Sequence, residues 1–198
     1  MISTWRFSIK ALGYSIMGIL VSFLIIVTFG IIDESLIFGF FISSITSLLY
    51  LGMLYSLSWN QGGKDKNYVQ YGHMKKNIFR GFLSSLLLTV INLLLIMGFL
   101  LTKEETSINN LLNIIMRFWL SPYLNFLIYF INNGLKVYLI LFIIPAPVVL
   151  GISYILGYND ISIMQRIMYT GKFENPKRDD SAAGILNKKN LNNLKKKK

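Results

Sequence analysis

Long apolar blocks alternate with short polar segments along this chain. Four uncharged blocks, residues 13–32, 35–57, 81–102 and 137–158, are each about as long as a helix needs to cross a ~30 Å hydrocarbon core. A soluble helix would show a narrower apolar stripe. The pattern predicts an all-α integral membrane bundle of four transmembrane helices in one domain, residues 1–158, followed by a basic tail, residues 159–198.

A further apolar segment, residues 108–133, carries a different pattern. Its polar residues recur every four positions: Asn109, Asn113, Arg117, Ser121 and Asn125. On one helix they would form a single polar stripe. The stripe predicts an outer amphipathic or partly re-entrant helix, interrupted near Pro122. In an alternative interpretation, the stripe lines a polar cavity in which Arg117 contacts an anion.

Basic residues are distributed unevenly around these segments. The chain has 20 Lys and Arg residues against 9 Asp and Glu, and all of the basic residues except Lys103, Arg117 and Lys136 fall on one side of the four predicted spans. Positive charge near short loops stays on the cytoplasmic side. Both termini are therefore predicted to be cytoplasmic, in a multi-pass protein of the cell membrane. A fifth crossing would break this asymmetry.

Small residues spaced by four favour helix packing within the spans, because they let helices approach closely in lipid. They are Gly39, Ser43 and Ser47 on the second span, and Gly81, Ser85 and Thr89 on the third. We expect these two spans to pack against each other as an antiparallel pair. Similar faces also allow self-association.

Polar features inside the spans are few. Asn92 is the only strongly polar side chain deep within a span, and Pro145 and Pro147 predict a kink in the last one. Together with Asn113, Arg117 and Asn125 they could form a polar path. The predicted spans contain no charged residue or histidine, which disfavours an ion-driven transporter.

Enzymatic chemistry finds little support in the composition. The chain contains no cysteine and a single histidine, His73. Thiol catalysis and cysteine- or histidine-rich metal sites are thereby excluded, and no Ser-His-Asp arrangement is indicated. We predict no catalytic, cofactor or metal site, and a protein that is not an enzyme.

The longest polar interruption is "SLSWNQGGKDKNYVQYGHMKKNIFRG", residues 56–81. Turn-forming residues predict that the chain reverses there: Asn60, Gly62, Gly63, Asp65 and Asn67. Aromatic residues then alternate with basic ones. We predict a partner-docking surface that includes Trp59, Tyr68, Tyr71 and His73. The simpler alternative is a basic loop on anionic lipid headgroups.

The tail, residues 159–198, is predicted to form a short amphipathic segment followed by disordered chain. Its lysines suit anionic lipid headgroups. Nucleic acid is not expected as a partner, because no aromatic residue that could stack on a base follows Phe173.

The segment "WNQGGKDKNYVQYGHMKKNIFRG" and the later "YILGYNDIS" resemble small bacterial polytopic membrane proteins that remain uncharacterised. The resemblance implies a membrane architecture and a bacterial setting, and no activity or site residue. The leading hypothesis is a non-enzymatic membrane subunit that assembles with a partner complex. The alternatives are a small oligomeric transporter or channel for a small solute, and a membrane insertase or ribosome-docking factor that uses the basic tail.

Overall fold

The computed structural model describes residues 4–30, 35–102 and 107–161, and these ranges are all-α, with no strand among them. The helices are α1 (Thr4–Gly30), α2 (Leu36–Gln70), α3 (Arg80–Leu101), α4 (Ser107–Trp119), α5 (Leu124–Asn132) and α6 (Pro145–Tyr158). Two 3₁₀ helices, Ser121–Tyr123 and Lys136–Ile143, precede α5 and α6. Residues 162–198 of the predicted amphipathic and disordered tail lie outside the described residues.

Four helical segments are long and apolar enough to cross a membrane: α1, α2, α3, and the continuous segment Lys136–Tyr158 that contains α6. This confirms the all-α prediction and the four candidate spans. The second span is longer than predicted. With 35 residues and a rise of about 1.5 Å per residue, α2 is about 50 Å long, roughly 20 Å more than a hydrocarbon core requires.

The four spans form a bundle in which α1 and α6 each pack against both α2 and α3. Helices α2 and α3 therefore lie diagonally opposite. The expected antiparallel pair of these two helices is wrong, because each buries its small-residue face against another neighbour. We call the end of the bundle where α2 ends and α3 begins the basic end, and the other the opposite end.

Helix α1 packs through a row of small residues at heptad spacing: Ser8, Ala11, Ser15, Gly18 and Ser22. All the side chains in this row are buried. A Cβ atom at Gly18 would lie 2.8 Å from the ring of Tyr50, and the Ser15 hydroxyl is 2.9 Å from the Tyr50 hydroxyl. Close approach and one interhelical hydrogen bond thus join α1 to α2, as is usual for helices that lack a hydrophobic driving force in lipid.

Helices α4 and α5 form a helical hairpin, residues 107–132, with an 85° bend between them. Helix α4 runs along α3 towards the middle of the bundle, from the contact of Asn109 with Thr102 to that of Trp119 with Asn92. Helix α5 then returns along α2, where Phe126 stacks on Phe40 at 5.3 Å. The hairpin therefore enters and leaves the bundle at the opposite end.

The turn of this hairpin, Ser121–Tyr123, is buried. The Ser121 hydroxyl donates a hydrogen bond to the carbonyl of Ile19 (3.0 Å), near the middle of α1. The Thr46 hydroxyl donates to the carbonyl of Pro122 (3.0 Å) from the middle of the apolar part of α2. A break between two α-helices can lie this deep because its backbone is enclosed by the other helices.

The two prolines of the last span do not kink a continuous α-helix. Residues Lys136–Ile143 form a 3₁₀ helix, and Pro145 is the first residue of α6. Pro147 lies in the same first turn. Proline is tolerated there because the first backbone N–H groups of a helix have no intrahelical acceptor. The prolines therefore mark the change from 3₁₀ to α geometry.

Candidate functional site

The predicted turn in residues 60–67 is wrong, because α2 continues as a helix through this segment to Gln70. Its glycines serve close packing instead. A Cβ atom at Gly62 would collide with the carbonyl oxygen of Tyr154, and one at Gly157 would collide with that of Trp59. The Ser58 hydroxyl also donates a hydrogen bond to the carbonyl of Leu150 (2.6 Å). Helices α2 and α6 thus meet backbone to backbone at the basic end.

An ion pair lies beside this crossing. Asp65 is fully buried, and its Oδ2 accepts hydrogen bonds from Nη1 of Arg80 (2.7 Å) and from the hydroxyl of Tyr154 (2.8 Å). Its Oδ1 accepts from Nε2 of Gln61 (2.9 Å). A buried carboxylate is tolerated only when it is paired and hydrogen-bonded in this way. We call Gln61, Asp65, Arg80 and Tyr154 the carboxylate cluster.

The cluster joins three helices at one point, since Gln61 and Asp65 belong to α2, Arg80 begins α3 and Tyr154 belongs to α6. Gly81 permits this arrangement, because a Cβ atom there would lie 2.8 Å from the carbonyl oxygen of Leu150 on α6. Asp65 was expected in a turn and is instead 0% exposed, beside Arg80, which is 3% exposed. The sequence did contain a signal for this cluster, because Asp65 is the only acidic residue between Glu34 and Glu104.

The carboxylate cluster fixes both ends of a short connection between α2 and α3, residues 71–79, which is largely exposed. Tyr71 is 77% exposed, Phe79 67% and Tyr68, on the last turns of α2, 42%. His73 is exposed as well, after a reversal at Gly72, whose φ is +74°. We call Tyr68 together with residues 71–79 the connection surface.

Trp59, the fourth residue of the predicted docking set, has a different environment. It is half-buried, and its indole Nε1 donates a hydrogen bond to the carbonyl of Ile161 (2.9 Å) just after α6. Lys66 forms an ion pair with Asp160 in the same region, and Lys76 lies 5.6 Å from the centre of the Tyr158 ring. Trp59 therefore holds the end of α6, whereas Tyr68, Tyr71 and His73 face outward.

The residues of the predicted polar path lie in separate places. Asn92 is 4% exposed and its Oδ1 accepts a hydrogen bond from Nε1 of Trp119 (2.7 Å). Nε of Arg117 donates to Oδ1 of Asn113 (2.9 Å) within α4. Asn125 binds α2, and Pro145 and Pro147 begin α6. The four polar side chains each form a hydrogen bond within the protein. Among the described residues, no contacts join them into one path.

The polar stripe of α4 faces the bundle rather than the exterior. Asn109 is 8% exposed, whereas Ile108, Leu111 and Ile114 are 63%, 58% and 67% exposed. The apolar face of the helix thus points outward. This orientation suits hydrocarbon around α4, because the polar groups find partners inside the protein.

The predicted packing residues contact several neighbours. Nδ2 of Asn125 donates hydrogen bonds to the Gly39 carbonyl (2.7 Å) and to the Ser43 hydroxyl (3.0 Å), so this face of α2 receives α5. Gly81 contacts α6, and Ser85 is buried beside it. Ser47 and Thr89 are half-buried, and their hydroxyl groups donate to carbonyls of their own helices.

The fold thus defines an all-α protein with four helices suited to span a membrane, an ion pair at one end and a helical hairpin at the other. The described residues contain no group of three or more His, Cys, Asp or Glu side chains that could hold a metal ion. Comparison of the chain with protein-family models, with curated proteins and with solved structures finds no match in any of the three.

Proposed function

We propose that this chain is a non-enzymatic membrane subunit that docks a protein partner through its connection surface. The observation that carries the proposal is the combination of exposed aromatic side chains with a fixed base. Tyr71 and Phe79 are mostly exposed, while the ends of their segment are tied together by the buried Asp65–Arg80 ion pair. Exposed aromatic residues on a pre-organised support are typical of binding surfaces.

The length of α2 supports the same proposal. Helix α2 exceeds a membrane-spanning length by about 20 Å, and the excess lies at the basic end with Tyr68 on its last turns. A connector that only reversed the chain would not need this extension. The extension places Tyr68 and Tyr71 beyond the apolar part of α2, where a cytosolic or membrane partner can reach them.

We place the basic end in the cytoplasm and the chain in the cell membrane, with both termini cytoplasmic. The support is the distribution of the 20 Lys and Arg residues, of which only Lys103, Arg117 and Lys136 fall on the other side. In this orientation the hairpin α4–α5 is re-entrant from the outer side. Its turn reaches mid-depth beside Ile19 and Thr46.

Crosslinking in cells, purification in mild detergent and mass spectrometry test the proposal. We expect a stoichiometric partner with the native protein, and its loss from the variant Tyr68→Ala/Tyr71→Ala/His73→Ala. Tyr14→Ala is the matched control, because Tyr14 is 45% exposed on α1, away from the connection surface. Unchanged recovery of the partner in the triple variant, or purification of the chain only as a self-assembly, would contradict docking at this surface.

A transporter or channel is the second candidate, and the hairpin is the observation that favours it. Broken helices that reach mid-depth often form solute sites in transporters. Its support is weaker, because Asn92, Asn113 and Arg117 are engaged in hydrogen bonds within the protein. Solute flux through the purified protein in liposomes, abolished by Asn92→Leu, would favour this candidate over the subunit.

A further inference from the structure

A cavity of about 400 Å³ lies at the opposite end of the bundle, between the start of α2, the end of α1 and α5. Its polar lining consists of Ser35, Asn125, Tyr129, Asn132 and Asn133. The rest of the lining is apolar, and none of its twelve residues is charged. The polar groups are therefore neutral amides and hydroxyls, which can donate hydrogen bonds to neutral partners and accept them.

Asn125 supplies an available acceptor in this cavity. Its Nδ2 is engaged with the Gly39 carbonyl and the Ser43 hydroxyl, whereas its Oδ1 has no hydrogen-bond partner among the described residues. The backbone carbonyl of Tyr129 accepts from Nδ2 of Asn133 (2.8 Å). The exposed Asn132 adds a further amide at the end of α5. An acceptor with a nearby amide matches a ligand group that both donates and accepts, as a hydroxyl does.

A second cavity of about 250 Å³ adjoins the first along the seam of α1 and α2. Both cavities are lined by Phe38 and Ile42, and the second has only apolar lining residues. These include Phe41 and Ile45, which are 61% and 39% exposed on the outer surface of the helices. A polar compartment at the helix ends thus shares two lining residues with an apolar furrow on a face that is suited to lipid.

We propose that the two cavities together form a site for a single lipid whose headgroup carries hydroxyl groups and no phosphate, such as a glycosyl diacylglycerol. The neutral amides would bind the headgroup, and the furrow beside Phe41 would hold one acyl chain. A phosphate headgroup is disfavoured, because burying its charge without a cation costs more than the available amides return. Lys136, four residues beyond Asn132, lies over the Phe99 ring instead.

Native mass spectrometry of the full chain tests this site, in a detergent whose headgroup is not a sugar. The probes are monoglucosyl dioleoylglycerol and dioleoyl phosphatidylglycerol, which have the same acyl chains. We expect the glucosyl lipid to remain bound at several-fold higher occupancy. Asn125→Ala should lower its occupancy by roughly three- to ten-fold, the effect of one hydrogen bond to a neutral group.

Asn125 also binds α2, so a second pair of variants separates loss of the site from loss of the fold. Asn132→Ala removes an amide that makes no hydrogen bond to a described residue, and Ile26→Trp fills the first cavity from α1. Both should lower occupancy of the glucosyl lipid without changing the melting temperature. Asn60→Ala, an exposed amide at the basic end, is the control and should leave occupancy unchanged.

Three results would overturn the proposal. Equal occupancy by the two lipids would show ordinary surrounding lipid only. Occupancy unaffected by Ile26→Trp would place the lipid elsewhere. Displacement by methyl glucoside, which has the sugar without acyl chains, would show a solute site that does not use the apolar furrow.

Discussion

Replacement of Asp65 by leucine is the most informative test of the fold. Asp65 receives hydrogen bonds from Arg80, Tyr154 and Gln61, and all three donors are buried. Removing the carboxylate deprives the Arg80 guanidinium of its counter-charge in a position where it is 3% exposed. Breaking a buried ion pair from one side costs about 3–5 kcal/mol. We expect Asp65→Leu to lower the free energy of unfolding by this amount.

Replacement of the partner, Arg80, should lower the free energy of unfolding by a similar amount, and replacement of both residues should lower it less than the two single effects together. Arg80→Leu strands the Asp65 carboxylate, whereas Asp65→Leu/Arg80→Leu removes both charges together. Replacement of a whole buried pair by apolar residues is often close to neutral. We therefore expect the double variant to be at least about 2 kcal/mol more stable than the sum of the single effects implies.

Reversible unfolding in mixed micelles, followed by tryptophan fluorescence, measures these differences. Lys66→Ala is the control, since the Lys66–Asp160 pair is exposed and such pairs contribute about 1 kcal/mol or less. The reasoning is refuted if Asp65→Leu costs no more than this control, or if the two leucine substitutions add without coupling.

Two further predictions concern the helix crossing and the topology. Gly62→Ala should force α2 away from α6 and lower the free energy of unfolding by about 1–3 kcal/mol or more. Gly52→Ala is the control, and it should be neutral or stabilising because no atom lies near the added Cβ. The unfolding experiment in mixed micelles measures both. Single introduced cysteines test the topology, because the chain has no cysteine of its own. An impermeant thiol reagent should label His73→Cys and Asn133→Cys from opposite sides of the membrane and leave the buried Ser121→Cys unlabelled. Labelling of Ser121→Cys would contradict a re-entrant hairpin.

Hydropathy was sufficient to predict the four candidate spans, because long uncharged blocks need no knowledge of their neighbours. It failed at the end of α2, where Asn60 to Asn67 have the composition of a turn. The helix persists there because Ser58 and Gly62 pack against α6, a contact between residues about 90 positions apart. The four-residue spacing of Ser58 and Gly62 repeats that of Gly39 and Ser43 and was the available signal.

The partners of the buried polar groups were not predictable from local sequence. Asn92 was recognised as unusual, but its hydrogen bond to Trp119 depends on how α4 runs along α3. Likewise, Asp65 between two lysines has the appearance of a solvated residue. Its burial follows from the position of Arg80 at the start of α3 and of Tyr154 on α6. Such contacts are properties of the folded bundle.

The two ends of the bundle are held by interactions of different strength. At the basic end, an ion pair with a fully hydrogen-bonded carboxylate and the glycine crossing at Gly62 join α2, α3 and α6. At the opposite end, the hairpin is held by neutral hydrogen bonds such as that of Asn125 with the Gly39 carbonyl, and such bonds average about 0.6 kcal/mol in membranes.

This difference predicts which part of the bundle opens first. Local opening begins where the stabilising contacts are weakest. We expect amide hydrogen exchange to be faster in α5 than at Asp65 and its neighbours on α2, and Asp65→Leu to remove the contrast. Uniform exchange in the native protein would contradict it. A firm basic end suits a docking surface that must hold its shape, and a more yielding hairpin suits a cavity that a lipid enters from the side.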